Sequence, residues 1–361
     1  MCRMYIRVPA ERQHRQSKKS VPVARPIPQG VRAGQPHLPP RKETAMKSDT
    51  APLFVGCATA LVTPMLPAPT GDGYTPPPVD YEAFVRLVRR QIAAGVDALV
   101  ICGTTGESST LTDEEKLRLF SLAVQESRRA EAEGIARRHI PVIAGTGSNN
   151  TARAVTLSRL AEKAGCDGLL AVTPYYNKAN QAGLVAHYAA ITAAVPLPLL
   201  AYHVPGRTGC RLTPETCLTL SRMEQIVGLK DATGDAAFTA RVAALCGDAL
   251  PLYAGCDDCI LPVLALGGRG AVSVASNLYP DTVTALCRAY RAGDTAQARR
   301  LQADLLPLCE ALFADVNPIP VKAALAGLGL CRDVLRLPLT PAGEDVRRRV
   351  RDATQKAGHP V

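Results

Sequence analysis

From residue 54 onward, two kinds of hydrophobic pattern alternate along the chain. Short, β-rich apolar runs occupy residues 55–62, 98–102, 141–145, 169–173, 199–204, 226–230, 250–254 and 271–275. Between them lie amphipathic stretches such as 81–94, 114–131 and 152–164, whose apolar positions recur at helical spacing. The ends of these stretches carry helix signals. Asp80 is an expected N-cap, Thr112-Asp-Glu-Glu115 reads as a capping box, and Gly95 and Gly165 read as stops. The junctions resemble one another: Ala94-Gly-Val-Asp-Ala-Leu-Val100 and Ala164-Gly-Cys-Asp-Gly-Leu-Leu170 each join a helix end to a strand.

Strands that alternate with helices imply a parallel sheet covered on both faces. Eight such runs over about 220 residues predict an α/β fold, a (β/α)8 TIM barrel. A doubly wound open sheet is the competitor, but no Gly-x-Gly-x-x-Gly follows the first run. Beyond residue 280 the strands stop and helical patterns continue to about residue 355, which predicts a small C-terminal helical domain. The expected division is therefore a disordered basic N-terminal extension over 1–50, a barrel over 51–280 and a C-terminal helical region over 281–361.

Charge changes the picture only at the N-terminus. The 361 residues carry a net charge of +10, but ten Lys or Arg stand against two Glu in residues 1–45, a local +8 that leaves +2 for the rest. A nearly neutral body with 4% aromatic residues gives no basic stripe for nucleic acid, so no nucleic-acid partner is expected. The leader is rich in Pro, Arg, Gln and Lys and lacks the apolar surface that would offset its ordering entropy. It reads as a start placed ahead of a true beginning near Met46, as a transit-like segment, or as a plain disordered extension. No apolar run reaches the roughly 18–20 residues of a membrane helix, so no membrane partner is expected. Residues 1–20 hold no apolar signal core, and the twelve cysteines are read as reduced thiols of a cytoplasmic protein. Cys256-Asp-Asp-Cys259 has the spacing of half a zinc site, but no second pair stands near it in sequence, so small buried hydrophobes is the reading adopted and no metal is expected.

In a barrel of this kind the active site lies at the carboxyl ends of the strands. Those ends are rich in hydroxyls (Thr63, Thr104, Thr105, Thr146, Thr173, Tyr202, Ser273) and include one lysine, Lys230, with Arg207 just past the fifth. Lys230 follows an apolar run, so its stem should rise from a buried strand. Desolvation there disfavours the ammonium and brings its pKa from about 10.4 towards 7–8. A lysine at its free pKa is neutral in roughly one molecule in 10³ at pH 7, and only the neutral amine attacks a ketone. The alternative is an ordinary solvent-facing lysine. Tyr202, Tyr176 and Thr104 are hydroxyls able to relay protons; taken singly, each is equally a core aromatic or a turn residue. Arg207 suits a substrate carboxylate or a rim salt bridge, and the Thr104-Thr105-Gly106 turn suits a second carboxylate.

Six motifs stand together in one order: Gly103-Thr-Thr-Gly-Glu-Ser108, Val142-Ile-Ala-Gly-Thr-Gly147, Val172-Thr-Pro-Tyr-Tyr-Asn177, Tyr202-His-Val-Pro-Gly-Arg-Thr-Gly209, Gly228-Leu-Lys-Asp-Ala-Thr233 and Asn317-Pro-Ile-Pro-Val-Lys322. In this the chain resembles the 4-hydroxy-tetrahydrodipicolinate synthase (dihydrodipicolinate synthase) family, within the N-acetylneuraminate lyase superfamily, over about residues 54–350. The resemblance implies a cytoplasmic, homotetrameric (dimer-of-dimers) class I aldolase-type enzyme of lysine and diaminopimelate biosynthesis, without a cofactor. Its substrates would be pyruvate and L-aspartate 4-semialdehyde. Lys230 would form the Schiff base and Tyr202 would donate and accept protons. Thr104 and Tyr176 would complete the relay, Tyr176 from across a dimer interface. Thr105 and Val272 would contact pyruvate, and Arg207 would receive the semialdehyde carboxylate.

The sequence departs from the family pattern at several of these places. His203 stands where Asn is common, and Asp231 where Glu is common. Ser108 and Asn149 fit the family's lysine-feedback site at the dimer interface. Asp113 and Lys116 replace its histidines, however, and Arg153 replaces an acidic residue, so weak or absent inhibition by lysine is expected. Two other functions stay open at this point: a sister aldolase such as N-acetylneuraminate lyase or a 2-keto-3-deoxy sugar-acid aldolase, and an inactive barrel acting as a binding module.

Overall fold

A computed structural model describes residues 52–356 except Asp72. The expectation of a disordered extension over 1–50 lies outside the described residues. Eight strands form a closed parallel barrel in sequence order: β1 Gly56–Ala60, β2 Ala98–Ile101, β3 Val142–Gly145, β4 Gly168–Val172, β5 Leu199–His203, β6 Ile226–Asp231, β7 Leu252–Ala254 and β8 Gly270–Ser273. The (β/α)8 expectation holds. The seventh strand starts later than the apolar run, at Leu252, because Pro251 has no N–H for the ladder and contributes only its carbonyl, to the Leu229 N–H at 2.8 Å.

The helix signals also hold. Helix Tyr81–Ala93 is capped by Asp80, whose side chain accepts from the Ala83 N–H. Helix Asp113–Ala132 carries both halves of the Thr112–Glu115 capping box. Helix Thr151–Ala164 ends at Gly165 with φ +78, a conformation that glycine adopts without a Cβ penalty.

Alternation along the strands makes two cores. Outward side chains such as Leu99, Val142 and Leu229 pack with the helices in one large cluster, while Ala58, Val100, Ile143, Leu170, Leu200, Tyr202, Tyr253 and Val272 fill the barrel. Phe54 stacks on Tyr253 at 4.4 Å between ring centroids, and the Tyr253 hydroxyl donates to the Phe54 carbonyl at 2.8 Å. A Cβ on Gly228 would lie 2.9 Å from both Leu200 Cδ2 and Tyr253 Cε2, so glycine is what lets β6 fit beside these two large side chains.

Helix Pro280–Arg291 packs on β1 and β8 and completes the ring of barrel helices. Helices Thr295–Leu312, Ile319–Gly327 and Glu344–Lys356 follow it. Between the latter two, the chain returns to the barrel's carboxyl face. The Arg336 guanidinium there donates to the Pro77 and Thr110 carbonyls and to the Glu115 carboxylate. Among the described residues no helix is long and apolar enough to cross a membrane.

Candidate active site

Lys230 is the fifth residue of β6 and pairs in register with Tyr202 of β5. The two side chains therefore project to the same, inner side of the barrel. Only 6% of Lys230 is exposed, and its Nζ lies 4.1 Å from the centroid of the Tyr202 ring. Burial brings its pKa down to about 8; the Cys256 and Asp257 side chains oppose that shift and Arg207 adds to it. Burial likewise pushes the Tyr202 phenol up to about 12, partly offset by Arg207 and by the nearby Thr104 side chain. At neutral pH the phenol is therefore a neutral donor and acceptor, while a usable fraction of the lysine is free amine.

Behind this pair, on the outer side of the wall, stand His203 and Asp231, also paired in register. His203 Nε2 accepts from the Leu212 N–H at 3.1 Å, which leaves the ring proton on Nδ1, 3.8 Å from Asp231 Oδ1. Burial lowers the His203 pKa to about 4, so the ring is neutral and the contact is not an ion pair. Asp231 in turn accepts from the Thr239 hydroxyl at 2.7 Å.

A cavity of about 450 Å³ opens at the carboxyl ends of the strands, lined among others by Thr104, Ser108, Tyr175, Tyr202, Arg207 and Asn317. Lys230, Thr105, Val272, Asn149 and Tyr176 are not part of its lining. Lys230 and Val272 lie in the barrel interior against Tyr202 or in its cluster. Thr105 is buried behind the turn, where its hydroxyl accepts from Asn317 Nδ2 at 3.0 Å. Arg207 is exposed at the mouth. Its Nη2 donates to the Asn317 carbonyl at 3.2 Å, and no carboxylate pairs with it among the described residues. Tyr176 is 87% exposed, with φ +73 and its N–H bonded to the Thr208 carbonyl, so it points away from its own chain's cavity. Asn149 offers its carbonyl to Asn177 Nδ2 at 2.9 Å.

The Thr104–Thr105 turn is held in an unusual backbone path. Cys102 and Glu107, neither of them glycine, bracket it at φ +55 and +53, a strained region that persists only where surroundings enforce it. One constraint is Gly145, where a Cβ would fall 2.1 Å from the Cys102 carbonyl oxygen. Another is the hydroxyl of Thr63, which donates to the Gly106 carbonyl at 2.7 Å.

Sequence reasoning missed three contributors. Asn317 touches both Thr105 and Arg207, and the motif that holds it was visible only as a resemblance. Asp257, at the end of β7, accepts from the Ser273 hydroxyl and from the Val274 and Ala275 N–H groups, fixing the end of β8. Lys322 reaches back to Glu107 at the turn. Among the described residues no group of three or more His, Cys, Asp or Glu is placed to hold a metal ion.

The model of the dihydrodipicolinate synthetase family matches residues 53–357. The 4-hydroxy-tetrahydrodipicolinate synthase of Geobacter sulfurreducens is 44% identical over 292 residues, which is 81% of this chain and 94% of that protein. Among solved structures, the dihydrodipicolinate synthase of Thermotoga maritima superposes with a TM-score of 0.77 at 38% identity, covering 85% of this chain and 99% of its own. The synthase of Cyanidioschyzon merolae with lysine bound gives 0.78 at 39% identity, with the same coverage.

Proposed function

The chain belongs to the dihydrodipicolinate synthetase family, and from that premise we propose that it condenses pyruvate with L-aspartate 4-semialdehyde through a Schiff base on Lys230. The product is 4-hydroxy-tetrahydrodipicolinate, and the setting is lysine and diaminopimelate biosynthesis. The observation that carries the residue assignment is the buried Lys230 ammonium lying against the Tyr202 ring, with Thr104 and Tyr202 both on the wall of the adjoining cavity.

The neutral Lys230 amine attacks the pyruvate ketone carbon. The carbinolamine loses water to give the imine, and loss of a methyl proton gives the enamine. Each step moves a proton, and the Tyr202–Thr104 pair carries it between amine, carbinolamine oxygen and solvent without a free charge in the barrel. The enamine carbon then attacks the aldehyde of the second substrate. Finally the substrate's own amine displaces Lys230 at the imine carbon, closing the ring and restoring the free lysine, so that one water is released overall.

Arg207, exposed and unpaired by a carboxylate at the mouth, receives the semialdehyde carboxylate in this reading. A sister aldolase acting on a neutral sugar chain gives that guanidinium no such partner. Thr105 and Val272 contact pyruvate. Tyr176, turned outward, enters the cavity of a neighbouring subunit in a dimer-of-dimers tetramer. The location is the cytoplasm, and the division into leader, barrel and helical C-terminal region belongs to the same reading.

The test is intact mass after borohydride reduction with pyruvate, on the wild type and on Lys230→Ala, followed by an aspartate-semialdehyde assay coupled to the downstream reductase. A pyruvate-sized adduct on the wild type alone, with turnover, is expected. An adduct without turnover moves the function to a sister substrate, and no adduct removes Lys230 from the mechanism.

A further inference from the structure

Asp257 stands just past the end of β7 and is 3% exposed. One of its oxygens accepts from the Ser273 hydroxyl, the other from the Val274 N–H at 2.9 Å and the Ala275 N–H at 3.0 Å. All three donors are neutral, and Asp257 makes no ion pair among the described residues. The thiols around it, Cys57, Cys287 and Cys309, are kept protonated by burial. A carboxylate so far from water is costly unless a cation comes within its reach.

Lys230 is that cation. Strand β7 lies between β6 and β8, and its Tyr253 pairs in register with Lys230. The carboxylate, bonded to the end of β8, therefore sits at the same carboxyl end of the barrel, on the strand next to the lysine. Each of the two groups shifts the other towards its charged form. The other buried acids at this end are engaged elsewhere, Glu107 with Lys322 and Asp231 with the Thr239 hydroxyl.

The need for a negative charge grows as pyruvate reacts. An imine holds its proton less tightly than the amine it came from, yet only the protonated imine draws electrons strongly enough to release a methyl proton. Arg207 opposes a cation on Lys230, while burial keeps the Cys256 thiol and the Tyr202 phenol uncharged at neutral pH. We propose that Asp257 is the counter-charge of the Schiff base, a carboxylate fixed in advance by Ser273 and the end of β8 that keeps the Lys230 imine protonated. Its charge is in place before the cation forms, so nothing has to reorganise when it does. The methyl proton leaves through Tyr202, the electron pair of its bond moves onto carbon and nitrogen, and the nitrogen of the enamine is neutral. Asp257 touches no reacting atom, and its role rests on the Schiff-base reading.

The test is exchange of the pyruvate methyl protons for deuterium, followed by NMR at saturating pyruvate, on the full-length wild type, Asp257→Asn and Ser273→Ala. Exchange reports enamine formation and needs no second substrate. Asparagine matches aspartate in size; its carbonyl can accept from Val274 and Ala275 and its amide can face Ser273, so charge is lost and bonding kept. Exchange near pH 8 should fall about tenfold or more in Asp257→Asn, the effect of lowering the imine pKa by one unit or more. It should change little in Ser273→Ala, which loses a bond and keeps the charge. The deficit of Asp257→Asn relative to the wild type should shrink as the pH is lowered, because solution protons then keep the imine charged.

Exchange unchanged in Asp257→Asn, equal losses in both variants, or a deficit constant with pH would each overturn the proposal and leave the Schiff base standing. A wild type with neither exchange nor a borohydride-trapped adduct would overturn both. If Asp257→Asn does not fold, the wild type decides. The 13C signal of bound [2-13C]pyruvate should then be that of a protonated imine near pH 8, and a neutral imine there would end the counter-charge reading.

Discussion

Lys322 Nζ lies 2.6 Å from Glu107 Oε1, with both side chains sealed from solvent, and it also donates to the Thr63 carbonyl at 3.0 Å. One bond thus ties the C-terminal helical region to the turn that presents Thr104 and Thr105. The other Glu107 oxygen accepts from the Arg336 N–H at 3.1 Å, so both oxygens of the carboxylate are held by residues from that region.

Removing one partner of this pair leaves the other charge buried and unmatched. Lys322→Met should destabilise the protein by about 3–5 kcal/mol, whereas the double change with Glu107→Leu should recover most of the loss. Denaturant unfolding of the two variants and the parent gives the comparison. A single variant as stable as the parent would mean the pair carries no structural weight.

Imine formation should follow the titration of Lys230. With a pKa of about 8, the lysine is mostly protonated at pH 6 and mostly free amine at pH 9, and only the amine attacks. The initial rate of pyruvate adduct formation, trapped with borohydride at a fixed subsaturating pyruvate concentration, should therefore rise with pH and level off above about 8. A rate still rising about tenfold per pH unit at pH 9 would contradict a depressed lysine pKa, and a profile flat from pH 6 to 9 would contradict a value near 8.

Arg207→Ala should separate the two substrates. Loss of charge-assisted hydrogen bonds worth about 1.5–3 kcal/mol predicts a roughly 10- to 100-fold fall in kcat/KM for the semialdehyde, while pyruvate still forms its adduct. Because the guanidinium helps to depress Lys230, the pH midpoint of adduct formation should also move upward. Equal losses for both substrates would place Arg207 elsewhere in the mechanism.

Lysine should inhibit weakly. Ser108 lines the cavity, but the cavity wall also carries the buried Lys116 and the Arg153–Asp113 pair, which offer an incoming ammonium a cation and an already occupied carboxylate. Steady-state rates with L-lysine should show no half-inhibition below about millimolar, an affinity of roughly 4 kcal/mol. Tight inhibition would mean that Asp113 leaves Arg153 for the ligand.

The parts of the molecule that follow a short-range rule were legible in the sequence. Eight β-rich runs separated by capped amphipathic stretches gave the barrel, because strand and helix periods are local properties. Lys230 and Tyr202 could be placed together since each stands near the carboxyl end of a run, on neighbouring strands. The Lys322–Glu107 bond was not legible: its residues are 215 positions apart, and neither has a neighbour that signals the other. Asn317 and Asp257 were missed for the same reason, since their roles depend on which groups the closed barrel brings beside them. Tyr176 was read from its hydroxyl as a relay candidate and placed across an interface only through resemblance, and in a single chain it faces outward.

Neighbouring positions on β5 and β6 have different duties: Tyr202 and Lys230 face the interior, and His203 and Asp231 face the helices. Gaining or losing one residue ahead of Tyr202 within β5 would turn the imidazole inward and the phenol out, exchanging a proton carrier for a ring that burial keeps neutral. These two strands can therefore diverge by substitution but not by change of length. Insertions and deletions among descendants of this chain should fall in the connections, where they leave the phase of the strands intact.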